Sequence, residues 1–287
     1  MLIVTGGSGK LGRLVVDALL ELVPAEQIGV SARDPRKLAE LEKRGVRVRQ
    51  GDYDDGDSLS HAWEGATRVL LVSSNIAAYG GDPLKQHETA IGVAKVLGIE
   101  RLLYTSQISS GKEAHFPPGC DHAATEEMLA ASGLAWTALR HGFYADSAVS
   151  MNARGFASGL LVSPVDGKVA WATHEDLAEV DARLLAGQET FEGATPPLTG
   201  SEALDLADLA RLASDATGRA IARRIITEVD LIENLQAAKL PETVQEITLG
   251  YYRGARAGEF LPVDPTMERI LGRAPQRMMD VLRQALG

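Results

Sequence analysis

Leu2-Ile3-Val4-Thr5-Gly6-Gly7-Ser8-Gly9-Lys10-Leu11-Gly12 is the stretch that decides the fold of this chain. Its apolar start predicts a buried strand, and apolar side chains at helical spacing from Leu11 to Leu22 predict a helix directly after it. Glycine at position 6 permits a sharp turn, glycine at 9 lets the backbone approach a diphosphate, and glycine at 12 lets the helix pack closely on the sheet. The exposed N–H groups and the helix dipole then favour a phosphate at this point.

Strand, loop and helix together predict a Rossmann-type dinucleotide-binding unit. A loop for nucleoside triphosphates is excluded, because Lys10 is followed by Leu11 and not by Ser or Thr. A tight turn that binds no ligand is the alternative. The candidate cofactor contacts in the loop are Gly6, Gly7, Ser8, Gly9, Lys10, Leu11 and Gly12.

The first half of the chain alternates short apolar strands with helical patterns, which predicts a doubly wound parallel sheet of the α/β class. The expected strands are Leu2–Thr5, Gln27–Ser31, Arg47–Gln50, Val69–Ser73, Arg101–Thr105 and Trp136–Leu139. After about residue 145, turn-rich stretches such as Gly155–Gly159 and mostly helical patterns predict a smaller, mainly helical C-terminal substrate lobe. The expected boundaries are 1–150 for the dinucleotide-binding domain, with 168–190 returning to it, and 151–167 and 191–287 for the substrate-binding lobe.

Composition narrows the class of protein further. The 287 residues carry a formal net charge of −10 and no basic stripe, which argues against a nucleic-acid partner. The one cysteine, Cys120, excludes an intrachain disulfide and fits a cytoplasmic location. No apolar run reaches the roughly 18 residues of a membrane span. The six histidines show no ligand spacing, so no metal is expected, and a homodimer is the default assembly.

The end of the second predicted strand bears on the choice of dinucleotide. NAD-binding proteins usually place an acid here on the ribose 2′-hydroxyl, and Asp34 is one candidate. Asp34 also stands before a proline and a helix predicted over Arg36–Arg44, where the role of N-cap suits it better. Arg33 is then free to bind a 2′-phosphate, Lys37 adds positive charge, and Arg36 is a further candidate. The sequence therefore predicts NADP(H) in preference to NAD(H); the alternative is that Arg33 is a solvated loop residue.

Polar residues also follow the third and fourth predicted strands. Ligands of such sheets bind at the carboxyl ends of the strands. Asp52 and Tyr53 are therefore expected to flank the adenine, by a hydrogen bond and by stacking. Ser73, Ser74 and Asn75 are expected near the ribose or the nicotinamide. Each of these residues taken alone equally suits a cap that ends its strand.

Several stretches carry a resemblance to a known family. They are Val4–Gly12, Val23–Ile28, Arg49–Tyr53, Tyr104–Ser106, His122–Glu126 and Leu139–Tyr144. Together they resemble the NmrA-like, atypical short-chain dehydrogenase/reductase group, and within it the QorB-type NADPH:quinone oxidoreductases and triphenylmethane reductase. The resemblance covers most of residues 1–190 and weakens beyond.

The resemblance implies a Rossmann-type fold, NADP(H) as cofactor and a quinone or similar planar acceptor. It implies cofactor contacts at Gly6–Leu11, Arg33, Ser73–Asn75 and the segment of Arg140, Gly142 and Phe143, with the acceptor near Phe143 and Tyr144. One departure from the family pattern is His141, where relatives usually carry Asn in an Arg-Asn-Gly motif. Acceptor choice or nicotinamide contacts are expected to differ accordingly.

The tyrosines constrain the chemistry. None of the six is followed four residues later by a lysine, so the Tyr-x-x-x-Lys acid that protonates a forming alkoxide is missing. Alcohol and ketone reduction is therefore disfavoured. Quinone reduction does not need that acid, because hydride addition gives a hydroquinone anion that is far less basic than an alkoxide.

Three residues are candidates for the remaining proton chemistry: Tyr144, His141 and His122. His122 and Glu126 are four residues apart, which places them on one helix face. They are either a local pair that touches the nicotinamide pocket or an ion pair on the helix surface.

The sequence thus predicts an NADPH-dependent oxidoreductase that acts on quinones or related planar acceptors. A second hypothesis is a non-catalytic, NADP(H)-sensing NmrA-like regulatory protein, since the missing Tyr/Lys pair fits both. A reductase of a specialised natural product is a third, because the lobe that sets specificity is the least recognisable part of the chain.

Overall fold

The computed structural model describes residues 1–287. Its strands are β1 (Leu2–Thr5), β2 (Ile28–Ala32), β3 (Arg47–Gln50), β4 (Arg68–Leu71), β5 (Arg101–Gln107), β6 (Trp136–His141), β7 (Phe143–Tyr144), β8 (Leu160–Ser163), β9 (Val169–Ala172), β10 (Gly193–Ala194), β11 (Ala203–Leu204) and β12 (Ala222–Ile225).

The α-helices are α1 (Lys10–Leu19), α2 (Ala39–Lys43), α3 (Gly56–Ala62), α4 (Pro83–Val96), α5 (Pro117–Ala131), α6 (Ala145–Met151), α7 (Ala153–Ser158), α8 (His174–Leu185), α9 (Leu206–Thr217), α10 (Glu228–Ala237), α11 (Glu242–Ala257), α12 (Thr266–Leu271) and α13 (Met278–Leu286). Short 3-10 helices cover Ala25–Gln27, Pro35–Leu38 and Ile76–Tyr79. No helix combines the length and the apolar character that crossing a membrane requires.

The first of two compact units consists of Met1–Ser106, Asp121–Arg140 and His174–Pro196. It contains a seven-stranded parallel sheet in the order β10-β6-β5-β4-β1-β2-β3. The chain winds outward from β1 first to β2 and β3 and then, on the other side, to β4, β5 and β6. The strand order reverses between β1 and β4, which is where sheets of this type bind their ligands.

Short apolar strands build the core of this unit. β1 is central, with Leu2 paired to Ile28 on β2 and to Arg68 on β4. Its residue Ile3 is fully buried, as is Trp63 after α3. Strands with both faces buried read as apolar runs, which is why the sequence pattern predicts them. α1 buries its apolar face, and α8 packs against it.

The second unit consists of Gln107–Cys120, His141–Thr173 and Pro197–Gly287. Its strands form a three-stranded sheet, β11-β9-β7, and a two-stranded parallel sheet of β12 and β8. Phe143 lies at the centre of an aromatic cluster in its core, with ring-centroid distances of 5.1 to 5.7 Å. The rings around it are those of Phe116, Trp171, Tyr251 and Phe260.

The expected α/β class and the doubly wound parallel sheet are confirmed. Two local predictions are wrong. The helix predicted over Arg36–Arg44 is a 3-10 turn, Pro35–Leu38, followed by the short α2. The stretch Gly155–Gly159, predicted as a turn, lies mostly in α7, which ends at Gly159 with a φ of 79°. The apolar residues Ala153, Phe156 and Ala157 favour the helix despite Gly155, and Gly159 caps its end.

The division of the chain is also finer than the predicted boundaries. Residues 107–120, 141–150 and 168–173 were expected in the nucleotide-binding domain and belong to the second unit. Residues 191–196 were expected in the substrate lobe and belong to the first unit, because β10 pairs with β6.

Candidate nucleotide-binding and active site

The glycine loop between β1 and α1 is closely packed on itself. Gly6 has a φ of 61°, and its carbonyl oxygen accepts a hydrogen bond of 2.9 Å from the N–H of Gly9. A Cβ at Gly12 would lie 2.5 Å from the same carbonyl oxygen, and one at Gly7 would lie 2.1 Å from the Val30 side chain. The turn therefore requires glycine at these positions.

The open side of this loop fits a phosphate. Gly9 is the N-cap of α1, so no side chain caps the helix, and its first turn holds no acidic residue. The N–H groups and the dipole of this helix end therefore favour an anion from outside. Ser8 and Gly9 are exposed, and Lys10 lies 3.8 Å from Glu175 on α8. A Cβ at Gly9 would meet the Gly6 carbonyl oxygen at 3.3 Å and occupy the surface on which a diphosphate would rest.

The predicted N-cap after β2 is confirmed. Asp34 Oδ1 accepts a hydrogen bond from the N–H of Arg36 at 3.2 Å. The Arg36 guanidinium also donates to both carboxylate oxygens, at 2.8 and 3.1 Å. These hydrogen bonds lower the pKa of Asp34 and keep it charged. Arg33 and Lys37 are exposed, and Arg33 makes no hydrogen bond or ion pair.

The residues after β3 are held by the protein itself. Asp52 Oδ1 accepts a hydrogen bond from the N–H of Asp54 at 3.1 Å, as in a strand-ending turn. Burial raises the pKa of Tyr53, so its hydroxyl stays protonated and donates to the Val72 carbonyl oxygen at 2.7 Å. The same hydroxyl bonds to Thr5 Oγ1 at the end of β1. Tyr53, which follows β3, is thus bonded to the ends of β1 and β4, and only part of its ring is exposed.

The segment Ser73–Asn75 after β4 is fixed by a buried histidine. The Ser74 N–H donates to His87 Nε2 at 3.0 Å, so the ring proton is on Nδ1, which donates to Thr125 Oγ1 at 2.9 Å. Burial lowers the pKa of His87 to about 4, so this ring is neutral at physiological pH. Ser73 donates its N–H to Thr105 Oγ1 at 2.8 Å, while Asn75 is exposed.

His122 and Glu126 on α5 have different partners. His122 Nδ1 lies 2.7 Å from the hydroxyl of Tyr104, whose pKa is raised by burial. Glu126 accepts two hydrogen bonds from the Arg140 guanidinium, at 3.1 and 2.6 Å, and one from Ser106 at 2.7 Å. Arg140 on β6 thus brings a fixed charge to the Glu126 carboxylate, a partner that the helical spacing of His122 and Glu126 does not predict.

The predicted residues of the second unit lie close to one another. The rings of His141 and Tyr144 have centroids 6.5 Å apart, and His141 is buried while Tyr144 is half-buried. Gly142 donates its N–H to the Leu198 carbonyl oxygen at 2.8 Å, and a Cβ there would lie 2.7 Å from the Ala170 carbonyl oxygen. Phe143 is only partly buried, and its ring packs in the aromatic cluster of the core.

A family model described as NAD(P)H-binding matches residues 6–187. The chain belongs to this NAD(P)H-binding family. It is 31% identical over 95% of its length to Quinone oxidoreductase 2 of Escherichia coli, of which it covers 94%. It is 28% identical over 99% of its length to the NmrA-like family domain-containing oxidoreductase flvB of Aspergillus flavus, of which it covers 94%.

Solved structures agree with the assignment of this chain to the NAD(P)H-binding family. The NADPH-dependent quinone oxidoreductase QOR2 of Escherichia coli, complexed with NADPH, has a TM-score of 0.93 at 29% identity, with 100% of both chains covered. Triphenylmethane reductase of Citrobacter sp., complexed with NADP(H), has a TM-score of 0.90 at 28% identity, again with 100% of both chains covered. The Rossmann-type fold, the NmrA-like resemblance and the class of oxidoreductase are thereby confirmed. So is the prediction of an NAD(P)-type dinucleotide.

Two polar residues of this NAD(P)H-binding protein, His87 and Gln107, were not predicted from the sequence as parts of the site. His87 gave no signal, because a histidine inside the helical pattern of α4 does not reveal that it binds the Ser74 backbone. Gln107 did give one, since it directly follows Tyr104-Thr105-Ser106 at the carboxyl end of a parallel strand, where ligands bind.

Proposed function

We propose that this oxidoreductase binds NADPH and passes a hydride to a quinone or a similar planar acceptor. The observation that carries the choice of cofactor is the pairing of Asp34 with Arg36, which leaves Arg33 exposed without a partner. A carboxylate held by a guanidinium and a backbone N–H is a poor acceptor for a ribose hydroxyl. A free guanidinium beside it suits a 2′-phosphate, which it can bind through two hydrogen bonds.

The first unit is proposed as the nucleotide-binding domain. The loop Gly6–Gly12 would hold the diphosphate, Arg33 and Lys37 the 2′-phosphate, and the residues after β3 and β4 the adenine and ribose. The cofactors bound in similar structures support the same choice, because QOR2 was solved with NADPH and triphenylmethane reductase with NADP(H).

The second unit is proposed as the acceptor-binding lobe, with Tyr144 and His141 as its candidate residues. Bound NADPH supplies two electrons and one hydrogen as hydride. The quinone gains them to become a hydroquinone anion, and one proton from solvent or from a nearby hydroxyl or imidazole completes the hydroquinone. The protein's own contribution is to orient the planar acceptor and exclude water. No Tyr-x-x-x-Lys acid is needed, and the curated relative Quinone oxidoreductase 2 is consistent with such an acceptor.

The cofactor assignment is tested by Arg33→Ala, with Arg211→Ala, at an exposed arginine of α9 that pairs with Asp208, as the matched control. A charged hydrogen bond is worth about 1.5–3 kcal/mol, so Arg33→Ala is expected to weaken NADPH binding about 10- to 100-fold. NADH binding is expected to stay constant in this variant, and Arg211→Ala is expected to leave NADPH binding unchanged. Dissociation constants are measured by nicotinamide fluorescence. An unchanged NADPH constant in Arg33→Ala would show that this arginine does not bind the 2′-phosphate.

The chemistry is tested by mixing the protein with NADPH and a panel of benzoquinones and following the nicotinamide absorbance. Turnover that saturates with at least one quinone is the expected result. Tight NADPH binding with no turnover on any acceptor would favour the non-catalytic NADP(H) sensor instead.

A further inference from the structure

The carboxamide of Gln107 lies at the carboxyl end of β5, and its nitrogen has no hydrogen-bond partner. Its Oε1 accepts a hydrogen bond of 2.7 Å from the N–H of Ser109 and a second from the Ser109 hydroxyl. A backbone N–H can only donate, so the atom beside it must be the oxygen, and the amide orientation is fixed. The Nε2 atom on the other side is shielded from solvent and makes no hydrogen bond.

The loop that carries this amide is held firmly. The Ser110 N–H donates to the Gln107 carbonyl oxygen at 2.9 Å, and the Ile108 N–H donates to the His141 carbonyl oxygen at 3.0 Å. Gly119 approaches so closely that a Cβ there would lie 2.7 Å from the Ser109 carbonyl oxygen. The amide therefore cannot turn toward another partner without breaking the contacts of Ser109.

A second polar atom in the same loop has the same property. The Ser110 hydroxyl is buried and also makes no hydrogen bond. An unpaired buried donor costs on the order of 1–3 kcal/mol, and native proteins contain few of them. Two within four residues, on a rigid loop after a parallel strand, indicate a site whose ligand provides the missing hydrogen-bond acceptor.

The position of this loop indicates which ligand that is. Its backbone is hydrogen-bonded to that of His141, whose ring lies beside Tyr144. His141 and Tyr144 are the residues proposed to bind the electron acceptor. We propose that Gln107 Nε2 donates a hydrogen bond to a carbonyl oxygen of the acceptor, and that the Ser110 hydroxyl provides a second polar contact. The acceptor class rests on the proposed function. A donor fixed at this oxygen binds more tightly as negative charge develops there on hydride addition.

Gln107→Glu is the variant that isolates this contact. It has the same shape, keeps an oxygen for Ser109 and replaces the donor by an acceptor. We expect kcat/KM for a benzoquinone to fall at least tenfold while the dissociation constant of NADPH stays unchanged. Gln245→Glu is the matched control, because its Nε2 already donates to the Leu240 carbonyl oxygen at 2.8 Å, and we expect it to keep full activity. An unchanged kcat/KM in a folded Gln107→Glu protein overturns the proposal.

A binding measurement on the wild-type protein decides the matter without turnover. In ¹⁵N-labelled protein, the Gln107 side-chain amide signals are those that vanish in Gln107→Glu. Duroquinone is then added in the absence of NADPH. A saturable shift of these signals supports the contact, even if no quinone is reduced and the proposed function fails. Signals that do not move at quinone concentrations that saturate turnover, or at the solubility limit where there is no turnover, overturn it.

Discussion

Asp34 illustrates how a side chain is withdrawn from ligand binding by its neighbours. Its two carboxylate oxygens bind the backbone N–H and the guanidinium of Arg36, two residues further on. An acid at this point of a Rossmann-type sheet ordinarily binds the ribose of NAD. Here the local sequence supplies the competing donor, which is why we propose the phosphorylated dinucleotide as the ligand of this site.

The buried ring of His87 predicts how the stability of the protein depends on pH. Burial lowers its pKa to about 4, from an ordinary value near 6.5. Between these values the unfolded chain binds more protons than the folded one, so stability is complete above about pH 6.5 and falls as the pH drops toward 4. The loss attributable to this ring is roughly 3 kcal/mol. Urea unfolding at several pH values measures it.

The matched variants for this prediction are His87→Gln and His61→Gln. Glutamine at position 87 still offers an oxygen to the Ser74 N–H but does not titrate, so the pH dependence below 6.5 should become shallower. His61 is exposed, and its replacement should leave the slope unchanged. Parallel curves for the wild type and His87→Gln would show that this ring does not set the slope.

Whether the sequence could predict a site residue depends on how far away its partner lies along the chain. Arg33 and Asp34 were interpretable because Arg36 is their neighbour in sequence. Tyr53 was not, since its hydroxyl is bound by Thr5, 48 residues earlier, which no local pattern shows. The binding of the Glu126 carboxylate on α5 by Arg140 on β6, 14 residues later, was likewise not predictable from a local pattern.

At the scale of elements, the glycine loop and α1 form one structural piece. A Cβ at Gly12 would lie 2.5 Å from the Gly6 carbonyl oxygen and 3.1 Å from Gly7 Cα, neither of which can move without opening the turn. Gly12→Ala is therefore expected to lower the free energy of unfolding by about 1–3 kcal/mol and to weaken NADPH binding at least tenfold. Chemical denaturation and fluorescence titration measure the two effects.

Gly92 on α4 is the control for that substitution. It is exposed, and nothing lies within 4 Å of the position that a Cβ would occupy. Gly92→Ala is expected to raise stability by up to about 1 kcal/mol, because alanine is the better helix former, and to leave NADPH binding as it is. Equal behaviour of the two variants would mean that the close approach at Gly12 has no role.

Elements with their own apolar pattern were predicted closely, whereas elements made by pairing were missed. β1, an apolar run, has the predicted bounds, and so has the more polar β3. The two-residue strands β7, β10 and β11 carry no periodicity of their own, and each exists only because a strand distant in sequence pairs with it. The early part of the sheet and the mainly helical character of the second unit were therefore predictable, whereas the short paired strands were not.

At the scale of the whole molecule, the cofactor should act as a stabiliser. A ligand at 100 times its dissociation constant adds about 2.7 kcal/mol to the free energy of unfolding. NADPH at that concentration is therefore expected to raise Tm by about 5–10 °C, and NADH at the same concentration by less than half as much. Differential scanning fluorimetry measures both. In Arg33→Ala the two cofactors should give similar shifts; a larger shift with NADH than with NADPH in the wild type would contradict the assignment.

Each unit is assembled from three separate segments of the chain. This arrangement has a consequence for synthesis on the ribosome. The glycine loop and α1 emerge first, but α8, which packs against α1, and β10, which completes the sheet, follow only after residue 173. Until those segments emerge, the first unit is incomplete and α1 lacks one of the elements that pack against it. We expect that window to be the time at which chaperones bind the growing chain.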